Sequence, residues 1–263
     1  MPEAPATILF VGDVVGSLGK NTLLGLLPAL RERHEPTFVV VNGENAAGGV
    51  GITPKIADEL FGAGVDVITL GNHTYRRREI YAYLDERDEI LRPYNYLRNQ
   101  PGHGVCVVER GGLRLGVVNL SGNLFVQAGH PAFTSIDAAL GELTGRVDHV
   151  LVDFHAEATS EKVALGWHLD GRVTAVVGTH THVPTADARV LPGGTAYITD
   201  VGMTGPRGGV IGVVKEQSIR SFVTQMNERY DVADEDPWLM GVVIRCSQPL
   251  RADKIEQLLL PAA

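Results

Sequence analysis

Short runs of apolar and β-branched residues recur along this chain, and several end on a polar residue of metal-binding type. They are "ATILFVGD" (6–13), "TFVVVNGEN" (37–45), "VDVITLGNH" (65–73), "HVLVDFHAE" (149–157), "VTAVVGTHTH" (173–182), "TAYITDVG" (195–202) and "MGVVIRC" (240–246). Their lengths and β-branched content suit strands. Helix-period segments separate them: "KNTLLGLLPALRERH", "TPKIADELFGAG", "RRREIYAYLDERDEIL", "TSEKVALGWHLDG" and "KEQSIRSFVTQM". In the second, Thr53 is a natural N-cap and Pro54 takes the first helical position. In the fourth, Thr159 or Ser160 is the expected cap. Such alternation restricts the chain to an α/β fold with largely parallel pairing. "VCVVERGGLRLGVV" reads as a hairpin turning at Gly111-Gly112, which makes the sheets mixed. The stretch "NERYDVADEDPW" reads as a surface loop. No repeat or linker divides the chain, so residues 1–263 are expected to form one domain.

At 263 residues a chain buries roughly 75% of its unfolded surface without help from disulfides or metals. The formal net charge is −8, which gives no overall attraction to nucleic-acid backbones or anionic membranes. A phosphate substrate would therefore need a local source of positive charge. Cys106 and Cys246 lie in apolar runs and read as buried thiols. The beginning, "MPEAPATILFVGD", lacks the pattern of a signal peptide. No run approaches the length of a membrane span. The expectation is a cytoplasmic protein with no membrane association.

In parallel α/β sheets the binding edge lies at the C-terminal strand ends. Here those ends carry Asp13, then Asn42, Glu44 and Asn45, then Asn72 and His73, then His155, then His180 and His182. Each alone is ordinary, since Asp and Asn at strand ends usually make turns. Five strands ending this way point to one shared site. His180 and His182, two apart in an extended segment, are expected to point to the same side. The ligand set is oxygen and nitrogen only, which suits Mn, Fe or Zn. It is large enough for two ions about 3.5–4 Å apart, with Glu44 as a carboxylate able to bridge them.

With those residues in place the chain resembles the calcineurin-like metallophosphoesterases, and within them the YmdB-type family. The matching stretches are "VNGENAAGGVGIT", "GNHTY", "VIG" and the long block from Asp153 to Pro206. The resemblance implies a four-layer fold, two mixed β-sheets flanked by α-helices. It implies that Asp13, Asn45 and His182 hold one metal, that Asn72, His155 and His180 hold another, and that Glu44 bridges them. It implies that His73 is the general acid. Val15 stands where the wider superfamily has a histidine, and Glu44 where it has an aspartate. Both departures are shared with the YmdB-type pattern.

The implied activity is phosphodiester hydrolysis by attack of a metal-bound hydroxide, with 2′,3′-cyclic nucleotides as the suggested substrate. Other readings stay open: a phosphomonoesterase acting on nucleotides or small phosphates, or a non-hydrolytic regulator binding nucleotide or RNA. A homo-oligomer is the default expectation. "GDVVGSLG" lacks dinucleotide-loop spacing, and its glycines are expected to let the backbone pass close to the metals. "GMTGPRGGVIG" is expected to close over substrate, with Arg207 reaching a phosphate. His34, His103, His130, His149 and His168 lack comparable context and read as structural.

Overall fold

A computed structural model describes residues 5–126 and 128–262. The first four residues, on which part of the N-terminal reading rests, lie outside that range. The first half of the chain runs β1 (Ala6–Val11), α1 (Gly16–His34), β2 (Phe38–Asn42), α2 (Pro54–Gly62), β3 (Val67–Thr69), α3 (Ile80–Glu86) and β4 (Ile90–Leu91). A hairpin follows, β5 (Val105–Arg110) and β6 (Leu113–Ser121), then α4 (Ala132–Leu143), β7 (His149–His155) and α5 (Thr159–Leu169). The remainder is β8 (Ala175–Thr179), β9 (Arg189–Val190), β10 (Ala196–Ile198), β11 (Gly205–Pro206), α6 (Lys215–Thr224), β12 (Pro237–Cys246) and β13 (Lys254–Pro261).

Two mixed sheets result. One has the order β11-β12-β1-β2-β3-β4, with β13 on the free edge of β12. The other is β5-β6-β7-β8-β10-β9. Strands β1 to β4 are mutually parallel, as are β6, β7, β8 and β10. The period-2 alternation of side chains sorts each strand's apolar residues between two faces. Ile8, Phe10, Phe38 and Val40 face Leu115, Val117, Leu151 and Val177 between the sheets. Leu9, Val11, Val39 and Val41 face outward onto Leu23, Leu27 and Leu30 of α1 and Leu60 of α2. On the far side, Val118, Val150, Val152 and Phe154 pack on Ile136 of α4 and Leu165 of α5. Four layers, α/β/β/α, follow, as the resemblance implied. Each fully buried Val, Leu, Ile or Phe contributes about 1.5–3 kcal/mol.

Local signals hold in part. The Thr53 side chain accepts from the Ile56 N–H at 3.3 Å, and Pro54 opens α2. Gly111 and Gly112 turn the hairpin with φ of 59° and 80°. The cap of α5 is Ala158, with no side-chain bond from Thr159 or Ser160. The segment expected as one helix over 76–91 is helical only over Ile80–Glu86. Its start is taken up by successive turns from Gly71 to Ile80, and its buried end, Ile90-Leu91, pairs with β3 instead.

Candidate metal centre

Because both parallel sets point the same way at the interface, their C-terminal ends meet along one edge. A buried carboxylate locks them there. Asp153 of β7 accepts from Asn42 Nδ2 at 3.0 Å, Thr69 Oγ1 at 2.5 Å and Thr179 Oγ1 at 2.7 Å. It ties β2 and β3 of one sheet to β7 and β8 of the other. Burial pushes its carboxyl above the ordinary range, opposed by His155 and the hydrogen bonds from Thr69, Thr179 and Asn42. Nothing in the sequence marks Asp153 out, because a lone acid inside an apolar run gives no hint of partners in another sheet.

Above this lock the strand-end residues converge. His155 Nε2 lies 3.1 Å from Glu44 Oε1, 3.0 Å from Asn72 Oδ1 and 3.1 Å from His180 Nδ1. Glu44, His155 and His180 offer three ligand atoms within 4.8 Å of one another. Beside them, His182 Nε2 lies 3.1 Å from Asn45 Nδ2 and 3.9 Å from Asp13 Oδ1. The Asn45 amide nitrogen also faces Glu44 Oε1 at 3.1 Å. His73 closes the group: its Nδ1 meets Asn45 Oδ1 at 2.7 Å, and its backbone N–H donates to Glu44 Oε2 at 3.0 Å. All eight strand-end residues named from the sequence as metal-binding or catalytic are thus brought together.

Their relative placement differs in one respect. The chain is not extended beyond Thr179: His180 and His182 have φ of 98° and 64°. Their rings therefore diverge, His180 toward His155 and His182 toward Asn45 and Asp13.

Each of the three histidines is anchored through the nitrogen away from the cluster. His155 Nδ1 meets Thr179 Oγ1 at 2.9 Å, and that hydroxyl donates on to Asp153. His180 Nε2 lies 3.2 Å from Glu157 Oε2. His182 Nδ1 donates to the Ile211 carbonyl at 2.8 Å. Anchoring the outer nitrogen in this way fixes ring orientation and leaves the inner one for a metal. Asp13 Oδ1 is buried with no hydrogen-bond partner among the described residues, 3.8 Å from His155 Nδ1. A cation would answer that orphaned acceptor. Asn45 fits a metal through its oxygen once the carboxamide is turned over, since N and O are near-isosteric.

Charges in the cluster are mutually dependent. Burial pushes the Asp13 carboxyl up to about 6, with His182 and His155 opposing. Burial also disfavours Glu44 ionisation, yet His155 and His73 outweigh it and hold that carboxyl well below its usual range. For His155 burial is likewise outweighed, here by Glu44 and Asp13, and its pKa rises to about 9. His180 goes the other way, down to about 3, through burial and the neighbouring charge of His155. Burial lowers His73 despite Glu44.

Behind the cluster lies a second device the sequence did not reveal. Lys162 of α5 is buried and donates to the Thr179 carbonyl and to Asp200 Oδ2, each at 2.7 Å. Asp200 also accepts from the Thr181 N–H at 3.1 Å and its hydroxyl at 2.7 Å. This pair holds the left-handed His180–His182 turn from below.

Arg207 stands to one side of the cluster. It lines a recess with His182, and its guanidinium stacks 4.2 Å from the Trp238 ring centroid. The glycines after β1 allow a close backbone approach: a Cβ at Gly12 would lie 2.0 Å from the Gly202 carbonyl, and one at Gly19 2.2 Å from that of Thr204. They admit the 202–204 backbone, and Val15 N–H bonds to Thr204 O at 2.9 Å. His34 and His149 are buried away from the cluster, and His103 and His168 lie beside Asp88 and Asp137. Both cysteines are free and buried, and burial pushes their thiols up to about 12. Among the described residues no helix is long and apolar enough to cross a membrane.

Comparison with known proteins agrees with this geometry. The chain is 47% identical over 254 residues, 96% of either protein, to a Bacillus subtilis protein named 2′,3′-cyclic-nucleotide 2′-phosphodiesterase. Its fold superposes with a TM-score of 0.91 on a Thermus thermophilus protein described only as hypothetical, at 39% identity, covering 98% of this chain and 100% of that one. The same score relates it to a Mycoplasma pneumoniae protein described as a novel phosphatase, at 36% identity over 98% and 94% of the two chains. The YmdB-like protein family matches residues 9–258. Spanning nearly the whole chain, that match and the 47% identity assign it to the YmdB-like family.

Proposed function

We propose that this chain is a dinuclear metal-dependent phosphodiesterase that opens 2′,3′-cyclic nucleotides. The observation that supports this most is the convergence of three outwardly anchored imidazoles on Glu44 and on the orphaned oxygen of Asp13. Asp13, Asn45 and His182 form one half of the donor set. Asn72, His155 and His180 form the other, and Glu44 faces both. Two ions of the Fe, Mn or Zn type would supply Lewis acidity, a lowered pKa for bound water, and the positive charge that a chain of net −8 lacks.

The chain's own residues do the rest. His73 is tied through Nδ1 to Asn45, which leaves Nε2 to face a leaving group. In the overall reaction water forms a new P–O bond, the P–O2′ bond breaks, and O2′ takes a proton, which His73 delivers. Asp153 and Lys162 hold the two halves of the donor set in register. A cytoplasmic setting fits two free, buried thiols.

Replacing His73 with Ala tests its role. The expected result is a fall in kcat on 2′,3′-cyclic AMP of about 10²–10⁴-fold with bound metal unchanged. Near-normal kcat in that variant would remove His73 from the chemistry.

A further inference from the structure

A cavity of about 520 Å³ opens beside the cluster and is not used by the metal ligands alone. Asn72 and His180 form its inner wall. Tyr75, Tyr96, Leu97, Gln100, Phe125 and Arg76 are among the residues that form the rest. The volume is that of a typical small-ligand pocket.

Three residues at this cavity, Phe125, Leu97 and Arg76, present exposed side chains to it. Phe125 is 89% exposed, although an aromatic ring of its size normally contributes most when buried. It holds a left-handed backbone, φ 67°, which a bulky residue adopts only at a cost. Leu97, on the same cavity, is also exposed. Arg76 makes no side-chain hydrogen bond or ion pair to any described residue, whereas its neighbour Arg77 is engaged by the carbonyls of Ala47 and Val50. The charge of Arg76 is nevertheless felt at His73.

Position selects the occupant. The leaving oxygen belongs to the nucleoside, so the nucleoside must lie on the side of His73. Asn72 immediately precedes His73 and Arg76 follows it by three residues, and both line this cavity. The recess on the other side, with His182 and Arg207, has its aromatic face already covered by the Arg207 guanidinium.

We propose that this cavity is the nucleoside subsite, with the base stacked on Phe125 against Leu97 and Arg76 paired to a phosphoryl oxygen. The proposal rests on the cyclic-nucleotide reading above. A π-face stacks on any base, so Phe125 confers preference for a nucleoside with little preference among bases. An arginine fork suits phosphate.

The test is calorimetric binding to the Mn²⁺-loaded full-length protein, with adenosine 3′-monophosphate and inorganic phosphate as probes. The wild type is expected to bind the nucleotide more tightly than phosphate. Phe125→Ala should weaken nucleotide binding about tenfold and so collapse that preference, and Phe125→Trp should restore it. Arg76→Ala should weaken both probes. An unchanged nucleotide affinity in Phe125→Ala overturns the assignment. So does a loss carried by Trp238→Ala instead, which places the base in the Arg207 recess. Because the readout is binding, a protein that binds nucleotide through Phe125 yet turns over no cyclic diester refutes the proposed hydrolysis and leaves the subsite standing.

Discussion

Gly71 shows how little room the cluster leaves. A Cβ at that position would lie 2.2 Å from His155 Cδ2 and 2.4 Å from Glu44 Oε2. Both neighbours are buried and anchored, so neither can yield cheaply. Gly71→Ala is therefore expected to lower metal affinity by about 10–100-fold, as loss of a supporting contact does, with the fold retained by circular dichroism. Metal content after dialysis checks this; full retention of metal would show that His155 and Glu44 are free to move. At this scale the sequence was informative for residues whose type betrays their chemistry. Asp13, Glu44, Asn72, His73, His155, His180 and His182 are polar groups that end apolar runs. Asp153, Lys162 and Asp200 are as deeply placed, but their meaning lies in partners up to 111 residues away. Phe125 and Arg76 carried no signal either, since a hydrophobe and a cation in polar loops look alike whether or not they line a cavity.

Elements whose period matched a buried face were legible as elements. Strands β1, β2, β3, β7, β8 and β12 lie where the apolar runs are, and the hairpin turns at its two glycines. Helix α4 is not legible in the sequence although Ala132, Ile136, Ala139 and Leu143 are buried at helical spacing, because Thr134, Ser135 and Gly141 weaken the pattern. Strand β13 is not legible either, because "KIEQLLLP" fits either period, and only pairing with β12 decides it. Two predictions belong to elements. Lys162 of α5 is part of a buried ion pair, and Lys162→Met should destabilise the protein by about 3–5 kcal/mol through the uncompensated Asp200 carboxylate; urea unfolding measures it, and a loss below about 1 kcal/mol would contradict the account. His34 ends α1 buried, with neither ring nitrogen hydrogen-bonded among the described residues. Burial, then Arg33, depresses its pKa below 6.5. The folded state thus resists a proton that the unfolded state accepts, so stability is lost as pH falls below about 6.5. His34→Leu should lose less Tm than wild type between about pH 7 and pH 5.5, by about 2 °C. Parallel Tm curves for the two proteins would exclude His34 as the cause.

On the scale of the whole molecule, the proposed donor set is split between two sheets. Asp13, Glu44, Asn45 and Asn72 follow strands of one, while His155, His180 and His182 end or follow strands of the other. Metal binding therefore needs the assembled sandwich and must stabilise it. At 100 times Kd a single site adds about 2.7 kcal/mol, so stripping the metal should lower Tm by several degrees and Mn²⁺ should restore it. The central claim is chemical, and it is tested most directly by hydrolysis. Metal-stripped protein is assayed on 2′,3′-cyclic AMP and on a simple phosphomonoester, with and without added Mn²⁺. The account predicts Mn²⁺-dependent opening of the cyclic diester with little attack on the monoester; bound metal with turnover of neither substrate would contradict it.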